Sequence, residues 1–208
     1  MFKMSVNYLH VISGSARGLK LWSPVGYETR PTTGRVKEAV FNILNAKIDF
    51  GGTVFLDLYA GSGAMGIEAL SRNADFAVFV DSAKECCDVV KKNIAKARFI
   101  KKSVVYNDDA MDVLAVLKKQ FVFDVIYLDP PYDYAKKDNY LGLLLDQINK
   151  NGLLSADGIC VLETSVPKGA ASPIVEYEKY GFCVIDERNY SNTSLVFLNK
   201  LSRKEASG

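Results

Sequence analysis

The sequence predicts an α/β fold: a mostly parallel seven-stranded sheet with helices on both faces, an antiparallel C-terminal hairpin, and a small N-terminal β-hairpin and helix in front. Three observations carry this. From residue 53 onward short apolar runs alternate with amphipathic stretches, the pattern of repeated βα units. A glycine-rich run, AGSGAMG, follows the first of these strands. The last two apolar runs lie too close together for a helix between them, so they must pair antiparallel.

Taken in order, residues 6–12 (VNYLHVI) and 19–22 (LKLW) are rich in β-formers, and the SGSARG between them turns a hairpin that carries Arg17. Residues 23–33 hold two prolines, a glycine and polar residues, and read as an irregular connector. A helix starts near Gly34, with Thr33 as its N-cap and Val36, Val40, Phe41 and Leu44 at helical spacing. Residues 1–46 thus read as an appendage, residues 47–202 as the main domain, and RKEASG at 203–208 as a frayed tail. Within the main domain, strands are expected at 53–59, 76–81, 103–108, 123–129 and 158–164. Helices are expected up to about Arg72, from about 83 to 97, from about 110 to 119, and over YLGLLLDQINK. The close is a pair of strands at 182–188 and 193–199 joined by a turn at NYSN, giving the sheet one reversed edge.

Hydrophobic residues make up 49% and charged residues 24% of 208, the balance of a soluble globular chain with one main domain. The net charge of +2 says little about partners, but its distribution does. Arg17, Lys20, Arg30, Arg35 and Lys37 face only Glu28 in their stretch, and Lys91, Lys92, Lys96, Arg98, Lys101 and Lys102 have no acid among them. Two such runs in a near-neutral protein predict one positive surface turned to a polyanion. Cys86 and Cys87 are adjacent, Cys160 and Cys183 fall in strands, and His10 is the single histidine, so neither a disulfide framework nor a metal site is expected. The N-terminus lacks the apolar core of a signal peptide, and no run approaches the roughly 20 apolar residues of a membrane span. The expected location is the cytoplasm, and the expected state a monomer.

In parallel α/β sheets ligands sit at the carboxyl ends of the strands, and four of the predicted ends carry an acid. The first is Asp57-Leu-Tyr59-Ala-Gly61-Ser-Gly63-Ala-Met-Gly66, a G-x-G-x-x-G spacing that suits a nucleotide-like cofactor. A carboxylate four residues before Gly61 repels a pyrophosphate but suits a cationic methionine moiety, which favours S-adenosyl-L-methionine over NAD. Asp81 can accept the ribose hydroxyls or cap the next helix, and Asp108 or, preferably, Asp109 can accept the adenine amino group. Together with Tyr59 these residues form the expected cofactor set, on the layout of a class I (Rossmann-like) methyltransferase.

Asp129-Pro130-Pro131-Tyr132 ends the fourth strand. Two prolines remove two backbone donors and leave nearby carbonyls without a ladder to join. An exocyclic base amine can then donate one hydrogen to Asp129 and one to the Pro130 carbonyl while Tyr132 stacks on the base. That grip fixes the nitrogen for in-line transfer and favours the positive charge that develops on it.

The chain resembles the RsmD family of bacterial 16S ribosomal RNA guanine-N2 methyltransferases over nearly its whole length, through ISGSARGLKL, TRPTTGRVKEAVFNIL, LDLYAGSGAMGIEALSR, VFVD, NDDA and LDPPY. The resemblance implies methylation of a guanine N2 in small-subunit rRNA, with a partly assembled subunit as substrate. It implies that the N-terminal hairpin helps hold RNA, with Arg17, Lys20, Arg30 and Arg35 as contacts, Arg30 and Arg35 alternatively bracing the cofactor site. The family often has Glu where Asp81 stands, so the chain departs there by one methylene and keeps the charge. Three other readings compete: an adenine-N6 methyltransferase acting on DNA or other RNA, an NAD-dependent oxidoreductase, and a non-catalytic RNA-binding factor.

Overall fold

The computed structural model describes residues 9–24, 34–131, 134, 139–165, 175–190 and 192–201. The chain divides into two compact units, 1–110 and 111–208.

The first unit opens with two short strands, β1 (Leu9–His10) and β2 (Lys20–Leu21), paired antiparallel. Helix α1 (Gly34–Asn45) follows, then β3 (Val54–Leu58), α2 (Ala64–Ser71), β4 (Phe76–Asp81), α3 (Lys84–Ala97) and β5 (Ser103–Asn107). Strands β3, β4 and β5 are parallel neighbours, with Leu58 level with Val80 and Asp81 level with Asn107. Their carboxyl ends therefore form one edge. The run Phe76–Val80 is continuously apolar because a parallel strand is covered on both faces. A side chain at Gly66 of α2 would put its Cβ 2.4 Å from the Phe79 ring, so only glycine lets the helix lie this close to β4. Helix α1 turns Val36, Val40, Phe41 and Leu44 inward, and Phe41 packs against Phe50 and Phe55 with ring centroids 5.6 and 6.3 Å away.

The segment 9–24 is bound tightly to the helices of its own unit. Gly14 has φ +81° and passes so near the end of α2 that a Cβ there would sit 1.7 Å from the Ser71 carbonyl oxygen. The Ser15 N–H donates to that carbonyl at 2.8 Å, and the Ser71 hydroxyl accepts from the Ala16 N–H at 2.9 Å while donating to the Ser13 carbonyl at 2.5 Å.

The second unit holds α4 (Ala110–Leu117), whose first residue sits at the boundary, then β6 (Phe123–Leu128), α5 (Tyr140–Lys150), β7 (Leu154–Ser165), a 3-10 turn (Tyr177–Tyr180), β8 (Phe182–Tyr190) and β9 (Thr193–Lys200). β6 and β7 are parallel, whereas β9 runs antiparallel to both β7 and β8. The first unit thus holds three parallel strands and the second four, of which β9 alone is reversed, the mostly parallel arrangement expected.

Two details differ from expectation. The reversed strand is β9, and it lies between β7 and β8 rather than at the edge. β9 is the more apolar of the last two, with five consecutive buried residues, so it takes the inner position and leaves the more polar β8 outside. β7 also begins at Leu154, earlier than its apolar run, because Leu154 pairs with Phe123 before the register shifts and Ile159 pairs with Val125. Of the other expectations, the start of the first strand at 6–8, the connector from 25 to Thr33 and the tail 203–208 lie outside the described residues.

Candidate active site

In the first unit the acids predicted from the sequence gather at the carboxyl edge of β3, β4 and β5. Asp57, next to last in β3, is 1% exposed, and its Oδ2 accepts the Gly66 N–H at 2.9 Å. Gly66 lies in the first turn of α2, so Asp57 caps that helix from the strand side. Burial pushes the Asp57 carboxyl up from 3.8 to about 7; the Gly66 N–H opposes the rise and the nearby Asp81 charge adds to it.

Asp81 ends β4 and uses both oxygens: Oδ2 accepts the Gly61 N–H at 2.8 Å and Oδ1 the Ala83 N–H at 2.9 Å. The N-cap of α3 is Ala83, which has no side-chain cap hydrogen bond, so Asp81 does not cap the helix as expected; it closes the turn that leads into it and grips the glycine loop. Each oxygen retains a further lone pair for a ligand hydroxyl. Asn107, level with Asp81, donates to the Asp81 and Ser82 carbonyls at 3.0 and 2.9 Å, fixing the tip of β5 to that of β4. Asp108 is exposed and accepts the Asp109 N–H at 2.9 Å, while Asp109 is half-buried just before α4.

The loop between β3 and α2 needs its glycines for different reasons. Gly61 has φ +54° and open space where a Cβ would stand. Gly63 has φ +75° and would press a Cβ onto Val90 and Phe79 at 3.2–3.3 Å. Tyr59 also takes a positive φ, 71°, the conformation of a residue forced into a sharp strand-to-loop turn.

In the second unit Asp129 follows β6 directly and is half-buried, Pro130 is buried and Pro131 exposed. The Pro131 carbonyl accepts the Tyr134 N–H at 2.8 Å and so closes the turn that follows β6. Tyr132 lies outside the described residues.

A model of the family described as conserved hypothetical protein 95 matches residues 9–199. The chain belongs to that family, the RsmD family. Among its relatives, YlbH of Bacillus subtilis is 42% identical over 156 residues, 74% of this chain and 82% of YlbH. The ribosomal RNA small subunit methyltransferase D of Escherichia coli K12 is 35% identical over 161 residues, 77% of each chain. Among solved structures, yhhF of Escherichia coli is similar with a TM-score of 0.78 and 28% identity, covering 95% of this chain and all (100%) of that one.

In this RsmD-family chain several residues without an assigned role in the sequence organise the first unit. Glu68, fully buried in α2, pairs with Lys37 at 3.2 Å and Arg72 at 2.9 Å and accepts the Ile12 and Ser13 N–H groups at 2.7 and 2.9 Å. The basic run places Lys37 on the positive surface; instead it is 3% exposed and also donates to the His10 carbonyl at 2.6 Å. Its ammonium pKa is lowered, burial outweighing the Glu68 charge that raises it. The signal in the sequence is a lone acid in the apolar run AMGIEALS with Arg72 four residues later. In the second unit the buried Glu163 of β7 accepts a hydrogen bond from the Tyr127 hydroxyl. Leu128 is level with Leu162, so Asp129 and Glu163 are the next residues along adjacent strands.

Of the expected RNA contacts, Arg17, Lys20 and Arg35 are exposed and Arg30 lies outside the described residues. Lys96 of α3 donates to the Lys20 carbonyl at 2.6 Å and sits 4.5 Å from the centroid of the Trp22 ring. The two basic runs of the sequence therefore meet at this point. Among the described residues no helix is long and apolar enough to cross a membrane.

Proposed function

We propose that this chain transfers a methyl group from S-adenosyl-L-methionine to the exocyclic N2 of a guanine in 16S ribosomal RNA, acting as a cytoplasmic monomer on an assembling small ribosomal subunit. The observation that carries the cofactor reading is the capping of the glycine loop by the protein's own carboxylates. A dinucleotide site offers its helix N-terminus to a pyrophosphate. Here Asp57 takes the Gly66 N–H and Asp81 the Gly61 N–H. A phosphate would meet the Asp81 carboxylate, the buried Asp57 acid and fewer open donors, whereas a cationic methionine group is attracted by Asp81 and favours the charged form of Asp57. The substrate reading is supported by the names of the Escherichia coli and Haemophilus influenzae relatives, each a ribosomal RNA small subunit methyltransferase D, at 35% and 33% identity.

When bound, S-adenosyl-L-methionine supplies an electrophilic methyl group on a cationic sulfur. Asp57 and the Tyr59–Gly63 backbone hold its methionine part, Asp81 its ribose hydroxyls, and Asp109, with Asp108 beside it, the adenine amino group. The Asp129 carboxylate and the Pro130 carbonyl accept the two hydrogens of the guanine amine, Pro131 stiffens the turn, and Tyr132 stacks on the base. This grip orients the nitrogen lone pair and stabilises the charge that appears on it as the new bond forms. Arg17, Lys20, Arg30 and Arg35 hold RNA phosphates.

The test is incubation with S-adenosyl-L-methionine and 16S rRNA from cells lacking the gene, both as naked RNA and as small-subunit particles, followed by nucleoside digestion. N2-methylguanine is expected, with particles the better substrate. N6-methyladenine as the product would overturn the base assignment, and equal turnover on naked RNA the particle assignment.

A further inference from the structure

Asn93 of α3 is fully buried, and its side chain makes three hydrogen bonds to segments outside its own helix. Its Oδ1 accepts the Trp22 N–H at 2.9 Å, and its Nδ2 donates to the Trp22 carbonyl and to the Ser62 carbonyl, each at 2.9 Å. One amide thereby joins segments 71 and 31 residues away along the chain: the end of the N-terminal hairpin and the middle of the glycine loop. Ser62 stands between Gly61 and Gly63, two residues at positive φ. A loop built from glycines gains its shape from such outside contacts, since glycine leaves the unbound backbone free.

We infer that Asn93 is a positioning residue for the cofactor loop, and that through it the Trp22 segment is a structural part of the cofactor site as well as of the RNA-holding hairpin. The inference rests on the reading of residues 57–66 as the cofactor loop. Without the amide, the Ser62 carbonyl loses a buried donor and the Trp22 peptide loses both partners, so the loop must be ordered anew each time the cofactor binds.

The experiment measures S-adenosylhomocysteine affinity by calorimetry for the wild type, Asn93→Ala and Gly63→Ala, with kcat and the KM for S-adenosyl-L-methionine alongside. Asn93→Ala is expected to weaken binding about tenfold and raise KM to match, with kcat at saturation within about twofold. A residue that only supported the fold would instead lower kcat through loss of active protein and leave the affinity of the remainder unchanged. Unchanged affinity in Asn93→Ala with weakened binding in Gly63→Ala would overturn the positioning role alone. Unchanged affinity in both would overturn the cofactor-loop reading together with it. Trp22 is the single tryptophan of the chain, so the intact protein supplies a second measurement that does not depend on the variant folding. Its emission should change on titration with S-adenosylhomocysteine and saturate with the calorimetric affinity; emission indifferent to saturating ligand would overturn the inference.

Discussion

Asp57→Asn separates the charge of Asp57 from its hydrogen bond, because the amide oxygen still accepts the Gly66 N–H while the titration disappears. In the free protein burial holds the Asp57 carboxyl at about 7 against an ordinary 3.8. Between these values the folded chain keeps a proton that the unfolded chain has released. Stability from this group is therefore full below about pH 4, falls as pH rises, and levels off above about pH 7. The whole fall corresponds to about 4 kcal/mol, an order-of-magnitude figure for a group only 1% exposed. Urea unfolding of wild type and Asp57→Asn at several pH values should show the variant gaining on the wild type by about that amount from about pH 4 to about pH 8. A cationic ligand favours the carboxylate, so saturating S-adenosyl-L-methionine should flatten the wild-type dependence. Its binding near neutral pH should then release protons, visible by calorimetry in buffers of different ionisation enthalpy. Parallel stability curves for the two proteins would refute the buried, neutral carboxyl; binding without proton release would refute the contact between Asp57 and a cation.

Four further outcomes are expected. Asp129→Ala should lower methyl transfer by about 10²–10³-fold while S-adenosylhomocysteine affinity stays within about twofold, checked by single-turnover assay and calorimetry. Replacing Arg17 and Arg35 by Glu should weaken RNA binding on all sequences and make log affinity less steep against log salt, by about one unit of slope for each phosphate no longer neutralised. Glu68→Gln leaves Lys37 and Arg72 without their buried counter-charge and should cost about 3–5 kcal/mol in denaturant unfolding. Gly66→Ala drives a methyl to 2.4 Å from the Phe79 ring and should cost about 1–3 kcal/mol by the same measurement.

The strand-end acids were legible because each follows an apolar run whose length and bounds are local properties. β4 matches its expected span residue for residue, and β3, β5 and β6 fall within a residue or two of theirs. What stayed hidden depends on partners distant in sequence. Nothing in LSADG marks it as strand; it extends because Leu154 finds Phe123. The greater apolar content of β9 marks it as the inner strand of the last two, but nothing in it names β7 as its neighbour. Lys37 has the sequence surroundings of one more surface cation, and only the fold brings Glu68 and the His10 carbonyl to meet it. The carboxylate of Asp57 can be placed near a ligand from its position, but that it first caps α2 is a fact of packing.

The glycine loop of the first unit is consequently held at three points by side chains from three strands and helices: Asp57 of β3 on Gly66, Asp81 of β4 on Gly61, and Asn93 of α3 on Ser62. Two of these side chains are acids that accept the N–H groups a phosphate would need. The same contacts that shape the loop therefore select against the nucleotide ligands its G-x-G-x-x-G spacing suggests. In this loop the caps on Gly61 and Gly66 distinguish between ligands that the glycine spacing alone does not. Removing one acid would loosen the loop before it opened a phosphate site, since the donor freed at Gly66 lies in the first turn of α2 beneath a loop that Asp81 and Asn93 still close.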